Sequence, residues 1–253
     1  MASANTPRPT PGARHGLART LSKLGVCSRT EAAAWISAGR VSVDGRVVRS
    51  AEFPVVSGLH RIAVDGAEIG PGLRRYLALN KPRGLVTTAK DEHGRDTVYR
   101  CFDGAGLGWI APVGRLDKAS EGLLLFTNDP EWAASITDPE TGPDKTYHVQ
   151  VDRIPDAALL EHLSAGVAAE GEHLRAKSAR MLRHGEKNAW LEIVLEEGRN
   201  RQIRRLLAEF DIGVLRLIRI AIGGLALGEL PKGKWRNLSA EEAAALAPAS
   251  SLP

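Results

Sequence analysis

The 253-residue chain is poor in cysteine, with only Cys27 and Cys101. Two thiols supply neither a disulfide framework nor the four ligands of a structural zinc site. Cysteine redox and cysteine–metal chemistry are therefore not expected. No stretch approaches the ~20 uninterrupted apolar residues of a membrane-spanning helix, and no membrane partner is expected. Met1 to Gly16 is polar and proline-rich and lacks the apolar centre of a secretory signal. These absences fit a reducing cytoplasm. No internal repeat is visible. Hydrophobic residues make up 43% and charged residues 25%, an ordinary globular balance that excludes collagen-like, coiled-coil and wholly disordered chains. At about 100–200 residues per domain, the length admits one large or two modest domains.

The net charge of +4 says little by itself, but its distribution says more. Residues 1–50 carry eight Arg or Lys against Glu31 and Asp44, a net of +6. Residues 198–219 carry six Arg against Glu209 and Asp211, a net of +4. Charge focused in two blocks attracts polyanions by neutralising phosphates and releasing counterions.

Pro7, Pro9 and Pro11 mark residues 1–15 as a flexible tail. Leu17, Leu21 and Leu24 then recur at helical spacing, with Gly25 as the stop. Ser28 and Glu31 form a capping-box pattern ahead of a helix that buries Ala32, Trp35 and Ile36. Asp44-Gly45 and Asp65-Gly66 are tight-turn signals between short apolar runs. Gly70-Pro71-Gly72 reads as a linker. Beyond it, strands are expected at 76–79, 84–88, 123–126, 147–151 and 190–195, with helices at 156–164 and 199–210. A last helix capped by Ser239 runs through Leu246. Strands outnumber helices and do not alternate regularly with them, so an α+β fold is expected rather than a doubly wound sheet.

The stretch Leu17 to Ala32, continuing through Gly39-Arg40-Val41-Ser42-Val43-Asp44-Gly45, resembles the S4 RNA-binding domain. The resemblance implies two helices and a hairpin that present basic side chains to structured RNA. Arg19, Lys23, Arg29 and Arg40 are the expected phosphate contacts, a role suited to the planar fork of arginine.

Gly114-Arg115-Leu116-Asp117-Lys118-Ala119-Ser120-Glu121-Gly122-Leu123-Leu124-Leu125 resembles the catalytic motif of pseudouridine synthases. It looks like the RsuA-type branch, the S4-bearing rRNA enzymes of bacteria. Four further blocks fit that branch in order: Asn80 to Thr87, Lys145-Thr146-Tyr147, Glu197 to Arg205, and Leu227 to Leu238. The resemblance implies a small S4 domain over residues 16–72 and a catalytic domain over 75–246. The latter is expected to be built on a mixed, mainly antiparallel sheet, with a C-terminal tail at 247–253. Phe126 departs from a run that is often all Leu, and Pro130 stands where the family often has Gly.

Isomerising uridine to pseudouridine breaks the N-glycosidic bond, rotates the uracil and rejoins it through C5. An ionised carboxylate can attack covalently, stabilise a cationic ribose or take a proton. The resemblance implies that Asp117 is this carboxylate and leaves its role open among the three. No cofactor and no metal are expected. A carboxylate beside RNA phosphates needs a cation to remain ionised. On a helix starting near Arg199, Ile203, Leu206, Leu207 and Phe210 share an apolar arc. Arg204 lies at its border, about 60° from Leu207. The family's third-motif basic residue aligns with Arg204. Arg199, Arg201 and Arg205 are expected to meet RNA phosphates. Lys81 and Arg115 are expected to shape the floor of the site and hold phosphates. Tyr147 shares a strand face with Val149 and Val151. The resemblance implies that it stacks on a target uracil flipped out of folded RNA.

The expected substrate is ribosomal RNA or a ribosomal assembly particle, preferably of the large subunit, with the small subunit as the alternative. The enzyme is expected to act as a monomer. Two other classes of function compete with this one. A non-catalytic RNA-binding assembly factor has no need of Asp117, Tyr147 and Arg204 together. A nucleoside hydrolase or glycosidase wants a second carboxylate at defined spacing, and Glu121 is the nearest candidate.

Overall fold

A computed structural model describes residues 14–56, 59–70, 72–89, 91–169 and 171–246. The chain divides into two compact units, Met1–Arg74 and Arg75–Pro253. The expected C-terminal tail 247–253 lies outside the described residues, as does most of the expected tail 1–15.

The first unit runs β1 (Arg14–Gly16), α1 (Leu17–Lys23), α2 (Arg29–Ser37), β2 (Val41–Val43), β3 (Arg46–Val47), β4 (Pro54–Val56), β5 (Ile62–Val64) and β6 (Ala67–Ile69). The Ser28–Glu31 capping box forms with both of its reciprocal bonds and starts α2. Leu17, Leu21, Ala32 and Ile36 bury the inner faces of the helices against Val41, Val43 and Ile62. The sheet order is β3-β2-β5-β6. Its two hairpins turn through Asp44-Gly45 and Asp65-Gly66, all four residues at positive φ. This mirror-image turn matches the twist of the flanking strands. One expectation needs correction. Arg14 and His15 belong not to a tail but to β1, which pairs antiparallel with β4.

The second unit contains β7 (Tyr76–Lys81), a 3₁₀ turn (Val98–Phe102), β8 (Ala111–Val113), β9 (Glu121–Thr127), α3 (Pro130–Thr137), β10 (Lys145–Val151) and α4 (Ala157–Ala165). It continues with β11 (Val167–Ala169), β12 (Glu172–Leu174), β13 (Ser178–His184), β14 (Ala189–Leu195) and α5 (Gln202–Ala208). It closes with β15 (Val214–Ile222), β16 (Leu225–Ala226), β17 (Trp235–Asn237) and α6 (Ala240–Leu246). The main sheet is ordered β13-β14-β10-β15-β9-β7-β17, with β16 on β15 and β8 on β9. Every pairing in it is antiparallel except β15 with β9. That parallel ladder is short, joining only Ile218 to Glu121 and Arg219 to Gly122. The α+β expectation with a mixed, mainly antiparallel sheet is met.

Burial follows strand parity. β10 and β14 alternate buried and half-buried residues, as strands with one covered face do. β9 is buried at all seven positions. Leu124 and Phe126 face one core, while Leu123 and Leu125 face the other, where Trp132 of α3 and Leu246 of α6 pack. Gly122 sits at the seam between the two antiparallel halves, at φ +100°. A Cβ there would overlap the main-chain carbonyl oxygen of Arg219, so only glycine allows the parallel strands to meet. Pro130 occupies the first turn of α3, behind an Asp129 cap, a position where proline loses no hydrogen bond.

Two element expectations are also corrected. Residues 84–88 form no strand, only an isolated bridge between Val86 and Thr97. Gly84, at φ +101°, turns the backbone so that its N–H donates to the Lys118 carbonyl at 2.7 Å. The helix expected at 199–210 is shorter, Gln202–Ala208, because Arg201 adopts a left-handed conformation (φ 51°) that a helix cannot continue through.

Candidate active site

Loop 114–120, between β8 and β9, is pinned through its backbone. Lys81, at the end of β7, is 0% exposed. Its Nζ donates to the carbonyls of Ser120 (2.8 Å), Asp117 (3.1 Å) and Pro82 (3.2 Å). Thr87 Oγ1 donates to the Leu116 carbonyl at 2.7 Å. Leu116 is buried beneath the loop. With its backbone held, Asp117 keeps its side chain about one-third exposed (34%). Burial pushes the Lys81 ammonium down to about 8, opposed by the charges of Asp117 and Glu121. The expectation that Lys81 meets RNA phosphates is therefore corrected. Its donors are spent on carbonyls inside the protein.

Asp117 borders a cavity of about 200 Å³ at the seam of the sheet. Arg115, Tyr147, Arg199, Arg201 and Arg204 line the same cavity. Arg201 Nη1 stands 3.6 Å and Arg204 Nε 4.0 Å from Asp117 Oδ2. The two arginines differ in setting. Arg201 is 53% exposed and Arg204 16%. Arg204 is anchored by Nη1, which donates to the Val214 carbonyl at 3.2 Å. Its Nε is buried with no hydrogen-bond acceptor. Burial, then Arg201 and Arg83, pulls its guanidinium below the ordinary arginine value, against the attraction of Asp117. Tyr147 is nearly buried and reaches the cavity from β10.

The remaining expected RNA contacts divide. Arg115 is exposed at the cavity. Arg199 lines the cavity while pairing with Glu197 at 2.9 Å. Arg205 does not line it. Instead it binds Glu172 at 2.7 Å and the Ala169 carbonyl at 3.1 Å, bracing α5 against the β11–β12 hairpin. Its assignment to RNA is corrected on that ground. In the first unit Arg19 and Arg29 are exposed, Lys23 is half-buried and Arg40 is exposed. Lys23 Nζ lies 3.0 Å from His15 Nε2. Arg40 is held by Asp65 and lies over the Trp35 ring, 5.1 Å from its centroid.

Two cations of the cavity, Lys145 and Arg219, were given no role from sequence, although Lys145 belongs to one of the matching blocks. Lys145 shares the strand face of Tyr147 two residues away, and parity alone could have placed it there. Its Nζ donates to the Glu196 carbonyl at 3.2 Å, and burial with nearby Arg219 lowers its pKa. Arg219 is one arginine of an arginine-rich stretch, and composition does not distinguish it. Glu121, the candidate second carboxylate, does not line the cavity. It is buried and tied to Arg216 at 2.8 Å and to Lys232. Among the described residues, no group of three or more His, Cys, Asp or Glu could hold a metal ion.

Residues 75–209 match the family described as RNA pseudouridylate synthase, and residues 16–59 match the S4 domain. The chain belongs to the RNA pseudouridylate synthase family. As such it is an enzyme that acts on RNA. This synthase is 39% identical over 227 residues to an uncharacterized RNA pseudouridine synthase of Aquifex aeolicus, covering 89% of this chain and 91% of that one. It is 38% identical over 229 residues to ribosomal large subunit pseudouridine synthase B of Escherichia coli, covering 88% and 78% respectively. A crystal structure of a pseudouridylate synthase superposes with a TM-score of 0.66 at 28% identity, covering 92% of this synthase and all of that chain. No described helix is long and apolar enough to cross a membrane.

Proposed function

We propose that this synthase isomerises a uridine of large-subunit ribosomal RNA in the cytoplasm, acting as a monomer on the RNA or its assembly particle. Asp117 is the essential carboxylate, Tyr147 the platform for the flipped base, and Arg204 the half-buried cation that faces Asp117. The observation that carries these roles is the meeting of Asp117, Arg204 and Tyr147 at one cavity from three distant parts of the chain. The choice of the large subunit is supported by similarity to the Escherichia coli relative. Exposed Arg115, Arg199 and Arg201 suit phosphates at the rim, and Arg19, Lys23, Arg29 and Arg40 suit them on the S4 unit.

Transcripts of both rRNAs carrying tritium at uridine C5 test the reading, because forming the C1′–C5 bond releases that hydrogen to water. Release from the large-subunit transcript or its particle, abolished in Asp117→Asn, is the expected result. Release from the small-subunit transcript alone overturns the choice of subunit. Tight binding without release from either, particles included, leaves a binding factor.

A further inference from the structure

Arg219 is 5% exposed yet lines the cavity. It projects from β15 at the seam, beside Tyr147 in the β10–β15 register. Its Nε donates to the Leu123 carbonyl at 2.7 Å, which fixes the direction of the guanidinium. Its Nη2 is buried and has no hydrogen-bond acceptor. Among the described residues no carboxylate pairs with it, and its charged neighbour Lys145 is also a cation. A buried charged donor without an acceptor is costly, and such a group in a binding cavity is satisfied by what the cavity binds.

The surroundings decide the chemistry of that acceptor. Leu195, Leu217, Ile222, Val113 and Ile136 line the same cavity as Arg219. A phosphate taken into such a place would lose its hydration with few groups to replace it. The exposed arginines suited to phosphates stand elsewhere, at the rim. A flat, neutral base with carbonyl oxygens on its edge meets both demands, an apolar wall and one unfilled acceptor position.

We infer that Arg219 is a specificity-determining residue that donates from Nη2 to a carbonyl oxygen of the target uracil and stabilises the charge this base acquires during the reaction. When the C1′–N1 bond breaks, its electron pair leaves with N1 and spreads onto O2 and O4. A fixed guanidinium at either oxygen favours that state over the neutral bound base. The uracil then rotates, C5 bonds to C1′, the C5 proton is lost and N1 takes up a proton, so the product is an isomer of the substrate. Lys145 adds positive potential at the same end of the cavity. Cytosine, with an amino group in place of O4, places a donor against a donor if O4 is the oxygen held.

The inference rests on the proposed base-in-cavity reading, and its test separates the two. Substrate RNAs are prepared with uridine, 2-thiouridine or 4-thiouridine at the position that the wild-type enzyme modifies. Single-turnover rates are measured by chromatography of the digested nucleosides for wild type, Arg219→Lys and Arg219→Gln. Sulfur accepts hydrogen bonds weakly, and its intrinsic effect on the base is common to all three enzymes and cancels. One thio substitution, at O2 or at O4, is expected to slow wild type about tenfold or more relative to the variants. The variants are expected to be slow with uridine but changed less than about twofold by that same sulfur. An equal response in wild type and variants for both sulfurs gives Arg219 a merely structural role and overturns the inference. So does a wild type indifferent to both, whether or not the variants fold. Failure of wild type to turn over uridine itself overturns the functional reading instead.

Discussion

The ammonium of Lys81 donates a hydrogen bond of 3.1 Å to the main-chain carbonyl of Asp117, while the Asp117 carboxylate lies 3.6 Å from Arg201 and 4.0 Å from Arg204. One buried cation therefore holds the backbone of the loop and two others face its side chain. This division of labour leaves Asp117 free to react without leaving its position unsupported.

Replacing Lys81 by Met should remove donors from three carbonyls, that of Ser120 buried and those of Asp117 and Pro82 partly so, and cost about 2–4 kcal/mol of stability. The rate should fall with it, because a displaced loop misplaces the reacting carboxylate. Denaturant unfolding and single-turnover rates check both. A variant as stable and as fast as wild type would remove Lys81 from this role.

The same ammonium predicts a pH dependence. Burial lowers its value to about 8, below the ordinary lysine value of about 10.4 expected in the unfolded chain. The folded state therefore releases the proton first. Stability linked to this group is fully gained above about 10.4 and is lost as pH falls through about 8. Turnover should move the other way, declining above about pH 8, because a neutral amine has one donor fewer for its three carbonyls. The difference in unfolding free energy between wild type and Lys81→Met, followed from pH 7 to 11, isolates the first effect. A pH–rate profile reads the second.

Arg201 and Arg204 should separate in kinetics although both face Asp117. Arg204→Gln is expected to lower the single-turnover rate about a hundredfold with little change in RNA affinity. Exposed Arg201→Gln should chiefly weaken binding and reduce the salt slope by about one. Titrations at several salt concentrations, beside rates at saturating enzyme, distinguish them. The reverse assignment would exchange their proposed roles.

Arg19→Gln combined with Arg29→Gln should leave the fold intact, since both side chains lie on the surface of the S4 unit. The salt slope of RNA binding is expected to fall by about two. An unchanged slope would place the electrostatic footprint elsewhere.

Gly122→Ala should be among the most destabilising single substitutions, about 3 kcal/mol or more, since the added methyl overlaps the Arg219 backbone at a positive φ. Thermal unfolding measures it. Full stability would mean that the β9–β15 seam can open without cost.

Much of the fold was legible because its cues are local. Ser28 and Glu31 are three residues apart and cap α2 through their own backbone. Asp44-Gly45 and Asp65-Gly66 adopt the positive φ angles that their hairpins require. The alternation of β10 and β14 places Tyr147 on the covered face before any partner strand is known. The motif around Asp117 marked the loop that borders the cavity. Where the local pattern misled, a positive φ at a single residue was responsible. Residues 84–88 have strand composition, but Gly84 turns them into a bracket on Lys118. Arg201 fits a helical pattern, yet its left-handed backbone delays the start of α5 to Gln202.

The sequence by itself determined the caps, the hairpin turns, the strand faces and the motif carrying Asp117, because each depends on residues a few positions apart. Only the tertiary structure decided what the basic residues do. Lys81, Arg205 and Arg219 are alike in charge. One is buried under the loop, one braces a hairpin and one lines the cavity with a donor unfilled. The reason is physical: a cation's role is set by the carbonyls and carboxylates that surround it, and here most of those come from segments far away in the chain.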